Sequence, residues 1–191
     1  DLHRLIRRQR QMCIRDSSSI SATSDIFPSS QYYAFNFAEF WAGHFSGVVP
    51  TVLSSDVSNA PNIACGVLSI LAFWLFIFDE KLSLKTKFAY LGGLVVLFIS
   101  FYIGQIDFIW HAFHVPNDLP FRYSFVYSFL FVIIAAYGLR SIKDIKPRYL
   151  IATAVMMGLS LLLLYLYSLK FENITGKMVL LNVVVGIISV S

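Results

Sequence analysis

Charge and cysteine are both scarce in this chain. Asp, Glu, Lys and Arg make up 14% of its 191 residues, against about 25% in soluble domains. There are two cysteines. One, Cys13, falls in a terminal segment unlike the rest of the chain, which leaves Cys65 alone and excludes a disulfide framework. No repeat at a fixed period is visible, so a solenoid is not indicated. Lys and Arg are absent altogether from residues 18–62. What is abundant is apolar surface, with 57% hydrophobic residues and a mean hydropathy of +0.69.

The apolar residues are gathered into runs. Residues 63–78, 88–104, 123–139 and 149–169 contain no charged side chain. A membrane helix needs roughly 17–25 such residues. Three of the runs meet that length, and the first reaches it by taking in Asn62. A fifth run begins at Met178 and is still apolar at Ser191. The expected fold is therefore all-α, a polytopic transmembrane bundle of four complete spans plus a fifth cut short.

Residues 1–17 share nothing with the remainder of the chain. They hold five Arg against two Asp and so supply +3 of the formal net charge of +4. The stretch 12–17 resembles a translated sequencing-adapter remnant, and a segment of that kind has no bearing on the fold. The remaining charge of +1 gives no reason to expect a nucleic-acid partner. Residues 18–62 then form a segment on one side of the membrane, and 63–191 the transmembrane region. Within the former, Tyr33, Phe37, Phe40, Trp41 and Phe45 recur at spacings of three and four. That predicts an amphipathic helix lying in the membrane interface.

Basic residues orient the bundle. The 79–87 connection has Lys81, Lys85 and Lys87, and the 140–148 connection has Arg140, Lys143, Lys146 and Arg148. The positive-inside rule places both in the cytoplasm. Segments 18–62, 105–122 and 170–177 then lie outside. Because the two inner connections are short, the spans they join are expected to be antiparallel neighbours. Gly92, Gly93 and Gly158 are the expected points of close helix approach.

The outer 105–122 segment concentrates polar chemistry between two apolar runs: Asp107, His111, His114, Asp118 and Arg122. Hydrocarbon cannot solvate such groups, so they face water, headgroups or a substrate. Arg122 is the leading candidate, because a guanidinium holds phosphate oxygens in a bidentate fork. It could equally snorkel to headgroups or pair with Asp118. His111 and His114, three apart, could share one face of a helical turn, but two ligands are too few for zinc. Asn117 and Asp118 between Pro116 and Pro120 also explain themselves as a turn.

Three pieces carry a family resemblance. They are Tyr33-Ala34-Phe35-Asn36-Phe37, then Pro61-Asn62-Ile63-Ala64-Cys65-Gly66 opening a span, then Trp110-His111-Ala112-Phe113 running into Pro120-Phe121-Arg122-Tyr123-Ser124-Phe125. From Tyr32 onward the chain resembles a middle slice of the YfhO family of bacterial polytopic membrane proteins. Members often have an aromatic where Ala64 sits and a glycine where Ala112 sits. The resemblance implies a GT-C type glycosyltransferase of the bacterial plasma membrane. Such an enzyme takes a sugar from a polyprenyl-phosphate carrier, without a cofactor, and gives it to a cell-envelope polymer such as teichoic acid. Arg122, His111, Asp118, His114 and Asp107 would contact that substrate, and the surrounding partners would be membrane lipids. No catalytic base is assigned, since in GT-C enzymes it usually lies in a first outer loop that a middle slice would lack. Two other readings stay open. One is a transporter or flippase of lipid-linked cargo, for which Asn182 is the one strongly polar midspan residue. The other is a non-enzymatic scaffold.

Overall fold

The computed structural model describes residues 35–48, 60–113, 121–140, 142–169 and 176–190. Every regular element among them is helical: α1 (Phe37–Ala42), α2 (Val67–Phe78), α3 (Leu84–Tyr102), α4 (Gly104–Trp110), α5 (Ser124–Arg140), a 3₁₀ turn (Ile142–Asp144), α6 (Pro147–Ser168) and α7 (Gly176–Val190). Local chemistry sets the ends. Asn36 and Glu39 form a capping box on α1, and the Ser83 hydroxyl accepts from the Thr86 amide at the start of α3. Pro147 opens α6, where its missing N–H leaves no helical hydrogen bond unmade.

Two helices are long and apolar enough to cross a bilayer, α3 and the Pro147–Leu166 part of α6. A core helix of a soluble protein passes the same test but is mostly buried. These two are only 22% buried, and they present Phe88, Val96, Ile151 and Leu166 on their surfaces. Water does not tolerate apolar faces of that extent; hydrocarbon does.

The other runs are shorter as helices than their hydropathy suggests. The 63–78 run, expected as a full span, is helical over only 12 residues. At 1.5 Å per residue that is about 18 Å, well short of a bilayer core. The cause is Gly66, whose φ of +80° stops the helix. The amides of Cys65 and Gly66 bond instead to the His44 carbonyl, at 3.1 and 3.0 Å. α5 has 17 residues and α7 has 15.

The missing outer turns of α2 are replaced by residues 35–48. This segment is not the longer interfacial helix that its aromatic spacing predicts. Only Phe37–Ala42 is helical among its described residues, and Tyr33 lies outside them. Phe40, His44 and Phe45 are buried in the bundle rather than lying at headgroup level. Phe40 packs on Phe98 and Phe101 of α3 and on Tyr127 of α5. Non-helical backbone at such a depth is tolerated where protein surrounds it and its polar groups are bonded. Those conditions are met here. His44 Nδ1 faces the carbonyls of Phe40 and Trp41 at 3.1 and 3.2 Å, and Nε2 meets the Tyr127 hydroxyl at 3.0 Å. Asn182 of α7 holds both the amide and the carbonyl of Ser46, at 3.2 and 2.9 Å.

Helix order also departs from expectation. α2 packs chiefly on α5, then on α6 and α7, while α3 packs on α5 and α4. α5 thus stands between α2 and α3, and α2 between α5 and α6, so the short connections do not join the principal packing partners. The reason lies at Gly138. A Cβ there would fall on the Ala72 carbonyl oxygen and 2.9 Å from the Phe76 amide nitrogen, so only glycine lets α5 approach α2 so closely. Of the glycines singled out from sequence, Gly93 faces the Leu130 side chain at 3.1 Å, while Gly92 and Gly158 have nothing within 4 Å. We expect Gly138→Ala to cost about 2–3 kcal/mol through overpacking, read as a lower melting midpoint in detergent. Gly92→Ala and Gly158→Ala should be neutral or slightly stabilising. Equal effects at all three sites would refute this packing.

At the basic end, Glu80 ties the two short connections together. It accepts from Lys146, Tyr149 and Arg148. Those bonds, Lys146 first, hold its carboxyl down at about 2.

Candidate functional site

The opposite end of the bundle carries the polar residues. α3 stops at Ile103, which has extended dihedrals, and Gly104 starts a new short helix, so the 105–122 segment opens as α4 rather than as a loop. α4 places Asp107 and His111 one turn apart on one face, turned toward Tyr123 just ahead of α5. The Asp107 side chain is 3% exposed and that of His111 is 9%. His111 Nδ1 lies 2.9 Å from the Asp107 carbonyl oxygen and 3.5 Å from its carboxylate Oδ1. Two polar atoms of the pair, Asp107 Oδ1 and His111 Nε2, are buried without a hydrogen-bond partner among the described residues. Burial raises the Asp107 pKa above the usual carboxylate range, with the His111 charge and the Tyr123 hydroxyl acting in the opposite direction.

An aromatic stack roofs the pair. Tyr123 lies between Phe101 and Trp110, with ring centroids 5.0 Å away on each side and planes within 20° and 14°. Its hydroxyl donates to the Ser100 carbonyl at 2.9 Å. Trp110 is 46% exposed beyond the stack and Phe113 is 71% exposed. Arg122 is exposed beside Tyr123, and no hydrogen bond or ion pair ties it to any described residue. His114 and Asp118 lie outside the described residues.

Backbone strain collects at the same place. The described non-glycine residues with positive φ are Ala112, Phe113 and Phe121, at 55°, 62° and 58°. Each costs roughly 1–2 kcal/mol relative to a right-handed conformation. The left-handed turn at Ala112 is one that glycine would take freely.

Of the sequence-derived candidates, the structure brings Asp107 and His111 together. It leaves Arg122 on the surface, one residue before Tyr123, held by no described residue. Sequence reasoning overlooked Tyr123, whose ring and hydroxyl organise the site. Its signal was its place directly after Arg122 at the start of an apolar run. Two other groups that could have acted are occupied. The Glu39 carboxylate caps α1 through the Asn36 amide, and His44 is bonded at both ring nitrogens.

An apolar groove of about 410 Å³ runs between α1, α2 and α6, past Phe37, Trp41, Trp74, Leu159 and Leu163. It offers no charged group to a passing ion or polar cargo.

An all-helical bundle with bilayer-length apolar helices exposed on its surface defines a membrane protein. Its family follows from a family model, the bacterial membrane protein YfhO, which matches residues 21–191. The chain belongs to that family. Comparison with curated proteins and with solved structures gives no match.

Proposed function

We propose that this chain is part of a GT-C type glycosyltransferase of the bacterial plasma membrane. It moves a sugar from a polyprenyl-phosphate carrier to a cell-envelope polymer, such as teichoic acid, on the outer face. In this reading α2, α3, α5 and α6 cross the bilayer with α7 as a further span. The short reach of α2 is made up by residues 35–48, and the Glu80 end faces the cytoplasm under the positive-inside rule.

The observation that carries the reading is the buried Asp107–His111 pair, with two polar atoms that no described residue satisfies, at the end of the bundle that also carries an exposed arginine paired with no described residue. Transfer from a phosphate-linked sugar needs cationic stabilisation of the departing phosphate and an acceptor for the proton of the attacking hydroxyl. Phosphate is a good leaving group, so no general acid is required. Arg122 supplies the cation, and the exposed aromatic edge of Trp110 and Phe113 suits the headgroup level, where a carrier's sugar is presented. The transport reading loses its main support, because Asn182 already has Ser46 and Met178 as partners and is not a free midspan ligand. Concentration of Asp, His and Arg at one end also argues against a scaffold.

The test is reconstitution of the full-length protein in liposomes with a polyprenyl-phosphate sugar labelled in the sugar. Label is expected to move to the polymer. Movement of the intact carrier across the bilayer, without transfer, would favour the flippase reading. The side of the membrane is checked separately. A Phe113→Cys variant in a background lacking the native cysteines should react with an impermeant thiol reagent in intact cells. Reaction only after lysis would reverse the orientation.

A further inference from the structure

We infer that the outward face of the Trp110 indole is the platform on which the carrier's sugar ring lies. The inference rests on the transferase reading and deepens it, by giving the sugar of the donor a binding residue distinct from the one that holds its phosphate.

Trp110 ends a stack of three rings. Phe101 and Trp110 flank Tyr123, with centroids 5.0 Å away on each side. The middle ring is fixed from three directions. Phe101 backs it, its hydroxyl is tied to the Ser100 carbonyl of α3 at 2.9 Å, and the His111 ring meets it at 5.8 Å and 68°. Tyr123 is buried, whereas Trp110 is 46% exposed. Because Tyr123 covers one face of the indole, that exposure belongs to the other face and the rim.

The strained backbone brackets this arrangement. Ala112 and Phe113 follow Trp110 by two and three residues, and Phe121 stands two residues before Tyr123; all three have positive φ. Such conformations persist only where the surrounding structure over-determines them. The indole plane is therefore held in place against a local cost. A tryptophan that merely anchors a protein at headgroup level needs no fixed plane, since an amphipathic ring serves there in many orientations.

A rigid flat ring suits a ligand with a flat apolar face of its own. A pyranose has one, where ring C–H bonds present partial positive charge to the negative face of an aromatic. A linear polyol has no such plane, so the platform fits the carrier's sugar rather than a polyol acceptor. That sugar is joined to its phosphate through a single oxygen. Arg122, which the transferase reading gives to the phosphate, directly precedes Tyr123, the ring beneath Trp110.

The test uses the full-length protein in liposomes, with the labelled polyprenyl-phosphate sugar as donor and sugar-free polyprenyl phosphate as competitor. Trp110→Leu stays large and apolar but has no plane. It is expected to raise KM for the donor about tenfold with kcat little changed. Trp110→Tyr keeps a ring on Tyr123 and should bring KM back to within about threefold of the wild type. Sugar-free polyprenyl phosphate should inhibit the wild type and Trp110→Leu equally, since it has no ring to stack. If Trp110→Leu does not fold, Trp110→Tyr decides, through a small rise in KM with unaltered inhibition by the competitor. A KM left at the wild-type value overturns the inference while the transferase reading stands. Equal weakening of donor and competitor also overturns it, because Trp110 would then touch the lipid or the phosphate. Failure of the wild type to transfer sugar overturns both.

Discussion

Arg122→Ala in the full-length protein is expected to reduce sugar transfer about 10²–10³-fold, the scale seen when one preorganised charge-stabilising donor is removed. The loss should be largest when the leaving group is a phosphate ester, whose developing charge the guanidinium neutralises through two parallel N–H bonds. Arg122→Lys retains the charge but not the fork, and should recover only part of the rate. The competing account has Arg122 anchoring the start of α5 to lipid headgroups. The two accounts separate cleanly, since an anchor would be replaced well by lysine, and its loss would show in membrane insertion and melting rather than in rate. Full activity in Arg122→Ala would remove Arg122 from the site. Because Arg122 is exposed and bonded to no described residue, its substitution should leave the fold intact, so a loss of rate is informative.

The helical class and the polar end of the bundle were legible in the sequence because hydropathy and charge report directly on solvation. A run without charge must avoid water, and a cluster such as Asp107, His111 and Arg122 must avoid hydrocarbon. The same signals are silent on backbone conformation. Residues 63–66 are apolar whether they continue a helix or lie extended against His44, and only the positive φ of Gly66 separates the two. Hydropathy likewise says nothing about which apolar faces meet. Gly92, Gly93 and Gly158 were equally good candidates for close approach, yet the tight crossing is at Gly138 against Ala72, fixed by backbone geometry that no local pattern records. In the site, the pairing of Asp107 with His111 follows from their four-residue spacing once α4 is known to be a helix. The part played by Tyr123 does not follow. It joins the site through its stack on Phe101 and Trp110, a contact between three separate elements.

The second large effect is expected at His44. This ring is fully buried. Its Nδ1 faces the carbonyls of Phe40 and Trp41, and its Nε2 meets the Tyr127 hydroxyl. His44→Phe fills much the same space but leaves these polar groups without their partner, and one stranded buried polar group costs roughly 1–3 kcal/mol. The variant should therefore melt several degrees lower in detergent, and residues 35–48 should become more open to proteolysis, because His44 is the side chain that ties them to α5. Tyr127→Phe removes only the hydroxyl that meets Nε2 and should cost less. A His44→Phe midpoint equal to that of the wild type would mean that His44 is open to water, and with it the inserted segment on which the Gly66 end of α2 depends.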